Sequence, residues 1–269
     1  MRAHATPNEI AAYQRDGFIV MPNLLSPVEV AELTQAVADA VETMGRNKLN
    51  GNPGWVEGDG YYDSVFLQRL NLWKISPIVK RYMLGPEIGT IASELAGCEL
   101  RVWHDQTLQK APWANPTAWH LDVPYWSFHA RQALSIWIAL DDSTIQNGSM
   151  YYLPGSHRLV SFDNVGIGPD LGALFDVYPQ LKDIEPVPAP MKAGSCGFHN
   201  GLCAHGAGPN MTPRWRRAMT CGYMPAGSTF NGSPNILLPE RLARLKVGDS
   251  LDDDVENPLV GQAQLEGIL

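Results

Sequence analysis

The sequence predicts a mainly β fold of the sandwich or jelly-roll class, with helices gathered at its N-terminal end. Three observations carry this. Helix start and stop signals crowd residues 1–97; from about residue 98 apolar positions recur with period two; and the strand-like stretches are short and divided by Gly- and Pro-rich turns. With 269 residues, 45% of them hydrophobic, the chain can bury a full core as one domain. That domain is read as a helical part over 1–97, a β core over 98–225 and an irregular tail from 226, which includes Asp252-Asp253-Asp254.

The helices are announced by their caps. Thr6-Pro7-Asn8-Glu9 is a capping box with Pro in the first turn, and Gly17 closes the helix it opens. Ser26-Pro27-Val28-Glu29 repeats the signal, and Leu33, Val37, Ala40, Val41 and Met44 follow at helical spacing. Phe18-Ile19-Val20 between them predicts a strand. Residues 45–63 change character: Asn50-Gly51-Asn52-Pro53-Gly54 and Gly58-Asp59-Gly60 form turns, and Trp55, Tyr61 and Tyr62 lie among them. A long loop with aromatics is expected to be either a lid over a site or a surface loop pinned by Trp55. Two further helices are predicted at 77–84 and 86–96, the second ended by Gly97.

The strands follow. Leu100, Val102, His104 and Gln106 alternate with other residues, 119–122 alternates, and 133–140 reads as buried. Asn147-Gly148 turns the chain into Met150-Tyr151-Tyr152-Leu153. Stretches 195–200 and 217–224 are further strands, and 163–183 is an insertion with loops and a short helix.

Charge and cysteines narrow the class. A net charge of −8 and the lack of a basic run exclude a nucleic-acid surface. Cys98, Cys196, Cys203 and Cys221 include no C-x-x-C pair and are expected to be reduced. The polar N-terminus and the absence of an 18-residue apolar run predict a soluble, cytoplasmic protein without a membrane span.

The chemistry concentrates in His120-Leu121-Asp122, answered by His205 and then Arg216. Two imidazoles and a carboxylate can hold Fe(II) on one face and leave the other open. On a strand, positions i and i+2 share a face, so His120 and Asp122 are expected to reach one ion; a helix would part them by about 200°. The alternative is an exposed strand whose His and Asp face water. Arg216 offers a fixed cation for an anionic co-substrate.

Several segments agree in order with this site: Trp119 to Asp122, Trp137-Ile138-Ala139-Leu140-Asp141-Asp142, Asn147-Gly148, Leu153-Pro154-Gly155-Ser156-His157, and His205-Gly206-Ala207-Gly208-Pro209-Asn210 through Arg216. Together they resemble the phytanoyl-CoA dioxygenase family of iron- and 2-oxoglutarate-dependent oxygenases, over residues 7–225. The resemblance implies a double-stranded β-helix, a cupin-like jelly roll, with helices packed outside. It implies metal ligands at His120, Asp122 and His205, and an arginine for the distal carboxylate of 2-oxoglutarate at Arg216, eleven positions after His205. Lys110 and Trp137 match positions that line the co-substrate pocket. Ala207 departs from the pattern, since relatives often carry Ser there, so Arg216 is expected to act with fewer partners.

Rivals are visible for several of these. His199 competes with His205 on residue type but lacks the Gly-x-Gly-Pro-Asn context. His157 fits a structural turn, Arg214 a loop, and Arg217 the opposite face of the strand from Arg216. Trp137 can be plain core. Trp126 and His129, shortly after the triplet, are expected either at the substrate mouth with Trp55, Tyr61 and Tyr62 or as ordinary surface residues. The implied activity is hydroxylation of an aliphatic C–H in a small or medium organic substrate, with dioxygen consumed and succinate and CO2 released. The alternatives are a jelly-roll metal-binding or sensing protein without turnover, and a cupin-type dioxygenase that does not use 2-oxoglutarate.

Overall fold

The computed structural model describes residues 1–58 and 60–261. Asp59 of the 45–63 loop and positions 262–269 of the tail lie outside the described residues. Four helices lead: α1 Pro7–Asp16, α2 Pro27–Met44, α3 Pro77–Leu84 and α4 Pro86–Ala96. Both capping boxes form; Thr6 Oγ1 accepts from Glu9 N, and the Glu9 carboxylate accepts from Thr6 N at 2.8 Å. Gly17 ends α1 with φ 81°, and a Cβ there would lie 2.4 Å from the His157 ring. His157 thus takes the structural part expected of it.

The strands are β1 Phe18–Met21, β2 Leu67–Leu70, β3 Leu100–Lys110, β4 Thr117–His120, β5 Leu134–Ala139, β6 Met150–Tyr152, β7 Val187–Ala189, β8 Cys196–Asn200, β9 His205–Ala207 and β10 Arg216–Pro225. They form a six-stranded sheet in the order β1-β8-β5-β10-β3-β2 and a four-stranded sheet β4-β9-β6-β7, with every pairing antiparallel. This is the expected jelly roll.

Period two divides the larger sheet cleanly. Ile136, Ile138, Phe198, Met219, Cys221 and Tyr223 point outward and pack with Leu33, Val37, Ile88 and Ile91 of the helices. Each such fully buried side chain contributes about 1.5–3 kcal/mol. Ser135, Trp137, His199 and Thr220 point the other way, into a cavity. A β-bulge in β3 sets this division. Tyr223 pairs with Val102 and Gly222 with His104, so Trp103 is the extra residue. Leu100 and Val102 therefore face the helices, while His104 and Gln106, of the same parity in sequence, face inward.

Three strands were not legible: β2, β7 and the short β9, which was read only as part of the His205 motif. β7 contains Pro188, which an edge strand tolerates, and β2 forms the opposite sheet's edge. The insertion holds one short helix, α5 Leu174–Val177. The tail has a one-turn helix, α6 Pro239–Leu242, and otherwise lacks long elements, yet Phe230, Ile236, Leu237 and Leu251 are buried. Up to residue 261 it is packed structure. All four cysteines are free.

One outward residue of β3 is charged. Asp105 is fully buried and accepts the backbone N–H of Leu72 at 2.6 Å and of Trp73 at 2.8 Å. Asp105→Ala leaves both donors unpaired, at about 1–3 kcal/mol each. Urea unfolding is expected to show a loss of about 2–6 kcal/mol, with Asp105→Asn losing less. A change below about 0.5 kcal/mol in the alanine variant would deny Asp105 this role.

Candidate active site

The smaller sheet places both imidazoles. His120 ends β4, His205 begins β9, and the two are cross-strand partners with ring centroids 4.1 Å apart. His120 Nδ1 lies 2.8 Å from the Ala118 carbonyl, and His205 Nδ1 lies 2.9 Å from the Cys203 carbonyl. A carbonyl only accepts, so each Nδ1 carries the proton and each Nε2 presents a lone pair. Burial, and for His205 the neighbouring imidazoles, push both pKa values down, which keeps the lone pairs free at neutral pH.

Asp122 arrives by a route the alternation argument did not foresee. β4 stops at His120, so the two-residue strand period does not align the pair. Asp122 has helical φ −79° and ψ −52° and leads a 3-10 turn over Val123–Tyr125, with Pro124 inside it. The N–H groups of Asp122 and Val123 both donate to the Gly201 carbonyl, at 2.9 and 3.0 Å. This turn swings the carboxylate back. Oδ1 lies 3.8 Å from His120 Nε2 and 3.6 Å from His205 Nε2, and the three atoms fall within 4.8 Å of one another. That spacing suits one ion.

The other oxygen is held from the larger sheet. Oδ2 accepts from Ser135 Oγ at 2.7 Å and from His199 Nε2 at 3.1 Å. Ser135 and His199 are cross-strand partners on the inward face of β5 and β8. Tyr152 Oη lies 3.5 Å behind, at His199 Nδ1. His199, the rival on residue type, is thus engaged with the carboxylate. Burial works against the Asp122 charge, but His205, His199 and His120 outweigh it and hold the carboxyl well below its usual range.

A cavity of about 310 Å³ opens beside this cluster. Trp137 and Phe66 belong to its wall, and the Arg216 guanidinium lies 5.1 Å from the first ring and 5.8 Å from the second. Arg216 is fully buried. Its Nη1 donates to the Leu108 carbonyl at 3.3 Å, while Nε and Nη2 have no partner among the described residues. Arg217 points the other way, bidentate on Asp141, and Arg214 lies in the loop before β10. Burial lowers the Arg216 pKa to about 9, so it stays a cation at neutral pH.

Lys110 stands directly across from Arg216 in the β3–β10 register and is also fully buried, its Nζ on the Asn115 carbonyl. Burial, and next Arg216, push its pKa down to about 6. A buried guanidinium with unused donors, beside a lysine amine, matches a carboxylate. Ala207 pairs across β4–β9 with Thr117, whose buried Oγ1 has no partner among the described residues. A hydroxyl is therefore present on that wall, one strand away from where it was expected.

The depressed Lys110 pKa predicts proton uptake. In the free site Lys110 is mostly neutral above pH 6; a carboxylate seated beside it would raise its pKa, so binding of an anion such as 2-oxoglutarate there would draw a proton from buffer. Calorimetry at pH 7.5 in buffers of different ionisation enthalpy should read up to about one proton taken up, vanishing below pH 6 and in Lys110→Met. Equal enthalpies across the buffers would exclude the lysine from the anion's surroundings.

The aromatic residues divide. Trp55 and Tyr62 reach the cavity wall, as does Trp126. Trp126 lies over Gly222, where a Cβ would come within 2.8 Å of its ring. The Tyr61 hydroxyl turns to the Pro116 carbonyl at 3.3 Å, and His129 stacks on Phe162 at 4.6 Å; neither lines the cavity. The 45–63 segment is anchored by a Lys48–Asp63 ion pair, an Arg69–Glu57 pair at 2.8 Å and an Asn47–Val56 bridge. Sequence reasoning passed over Phe66, Gln68, His104, Gln106, Asn235 and Ile236, which also line the cavity. His104 and Gln106 carried a signal, polar residues on an otherwise apolar alternating face; the others did not.

Facing antiparallel sheets with two imidazoles and a carboxylate converging between them are the arrangement of a candidate non-haem metal site of the jelly-roll class. The sequence model of the phytanoyl-CoA dioxygenase (PhyH) family matches residues 13–218. The chain belongs to that family, and with it to the iron- and 2-oxoglutarate-dependent oxygenases. Ectoine dioxygenase of Bordetella parapertussis is 30% identical over 260 residues, covering 87% of this chain and 78% of the relative. Among solved structures, the non-haem α-ketoglutarate-dependent carbocyclase SnoK from nogalamycin biosynthesis superposes with a TM-score of 0.79 at 30% identity, covering 95% of this chain and 96% of its own. The epimerase SnoN, solved with Fe3+, α-ketoglutarate and nogalamycin RO, gives 0.73 at 27%, covering 94% and 97%. No helix among the described residues is long and apolar enough to cross a membrane.

Proposed function

We propose that this enzyme hydroxylates an aliphatic C–H of a small or medium organic substrate, with Fe(II) held by His120, Asp122 and His205 and 2-oxoglutarate anchored by Arg216 and Lys110. The observation that carries the proposal is the pairing of two features at one cavity: three convergent ligating atoms, and a buried guanidinium with unused donors against its wall. Bound iron with 2-oxoglutarate and dioxygen supplies the oxidising power, and succinate and CO2 leave as co-products.

The protein's own part is orientation. The Ala118 and Cys203 carbonyls aim the two Nε2 lone pairs, and Ser135 with His199 fixes Oδ2 so that Oδ1 faces them. Asp122 also fills the position that a halide would need, so hydroxylation is favoured over halogenation. Trp137 and Phe66 shield the guanidinium from water, which strengthens its hold on a carboxylate. A sensing protein without turnover has no need of that cation, so Arg216 argues against that reading. The free cysteines fit the reducing cytoplasm, where we place the enzyme.

Screening a library of small organic molecules tests the proposal. One or more substrates should give succinate and hydroxylated product in equal amounts, dependent on Fe(II), 2-oxoglutarate and dioxygen. Oxidised product without succinate would favour a cupin-type dioxygenase; iron binding without any succinate would favour the sensing protein.

A further inference from the structure

We infer that the primary substrate is an uncharged, ring-bearing, largely apolar molecule whose hydroxyl or carbonyl is bonded by His104 together with the Gln68–Gln106 pair; this rests on the oxygenase reading above. The first ground is charge. Among the described residues lining the cavity, Asp122 alone is an acid, and none is a lysine or arginine. Asp122 is committed to the histidines and Ser135, and Arg216 and Lys110 are assigned to the co-substrate. An ionic substrate would lose its hydration and find no counter-ion, which costs several kcal/mol per charge.

The second ground is shape. Trp55, Tyr62, Tyr125, Trp126, Ile167 and Ile236 come from four separate segments and give the cavity flat, apolar faces. Such faces take up rings well, because a rigid ring buries area with little loss of conformational freedom. The third ground is the polar inventory. His104 Nδ1 is buried and has no partner among the described residues. Gln68 Nε2 donates to Gln106 Oε1 at 2.5 Å, which leaves each amide with further bonding capacity. These groups are neutral, and both donors and acceptors are available, as a hydroxyl or a ketone requires. Ectoine, the substrate in the relative's name, is a zwitterion and does not suit this wall.

Matched probes on one bicyclic frame separate charge from shape. Binding is read from tryptophan fluorescence, since Trp55 and Trp126 line the cavity, using the full chain with Fe(II) and 2-oxoglutarate under nitrogen and, in parallel, the metal-free chain. The neutral 1-tetralol should bind at least about tenfold more tightly than 1-aminotetralin or tetralin-1-carboxylate, about 1.4 kcal/mol, and ectoine should not saturate. His104→Phe, which keeps a ring in place, should remove the advantage of 1-tetralol over tetralin; Gln106→Leu is the second variant should the first fail to fold. Tight binding of either ion, saturation by ectoine, absence of binding by the neutral probes, or an unchanged tetralol-to-tetralin ratio in the folded variants overturns the inference. The visible charge-transfer band on adding 2-oxoglutarate to the Fe(II) protein is recorded separately. Its absence counts against the oxygenase reading, while the charge preference stays readable in the metal-free chain.

Discussion

His205→Ala is expected to lose the visible charge-transfer band that Fe(II) and 2-oxoglutarate give under nitrogen, with iron affinity falling by more than about 100-fold. Removing one of three protein ligands leaves a site that a hydrated ion has little reason to enter. The informative comparison is His199→Ala. His199 donates to the outer oxygen of Asp122 at 3.1 Å, so its loss leaves the ligand set whole but less firmly aimed. Partners of this kind are typically worth about 10–100-fold in metal affinity. The band should persist in His199→Ala, shifted or weakened, and a similar but smaller effect is expected for Ser135→Ala. If His199→Ala abolishes the band while His205→Ala keeps it, the ligand assignment is wrong.

Arg216→Met should raise the Michaelis constant for 2-oxoglutarate at least about tenfold and leave Fe(II) binding nearly intact. Truncating one member of a buried charge pair costs roughly 2–5 kcal/mol, and the ten-fold floor allows for the help of Lys110. Arg217→Met removes a half-exposed pair with Asp141 and should change the constant less than about twofold. Arg214→Met, in the loop, should behave likewise. A large effect from Arg217 with none from Arg216 would mean that the inward face of β10 has been assigned to the wrong register.

The parts of this architecture that local chemistry specifies were readable before any coordinates. The helix limits at Thr6, Gly17, Ser26 and Gly97 follow from caps whose hydrogen bonds are formed within a few residues. That Arg216 and Arg217 take opposite faces follows from strand alternation; which of them turns inward came from the family resemblance. What escaped depends on contacts between distant segments. Asp122 is brought round by a turn whose anchor is Gly201, far along the chain. Trp103 forms a bulge only because of how β10 pairs with β3. The residues of the tail that line the cavity, Asn235 and Ile236, have no periodicity to betray them. The engagement of Ser135 and His199 with the carboxylate needed the β5–β8 register, which sequence does not state.

The origin of the cavity's two ends has a consequence for how such a protein can be altered. The ligating side chains and the buried Arg216 and Lys110 stand on or beside paired strands, whose ladders fix them. His104, Gln68 and Gln106 stand on those ladders, while Trp55, Tyr62, Ile167, Asn235 and Ile236, which would meet a substrate, come from the 45–66 stretch, the insertion and the tail, outside them. Segments of this kind can be grafted from one relative to another, or drift under selection, while the oxidising centre keeps its geometry. A transplant of the tail segment around Asn235 and Ile236 would then carry selectivity with it as a separable module, and new substrates would be reached without relearning how to hold iron.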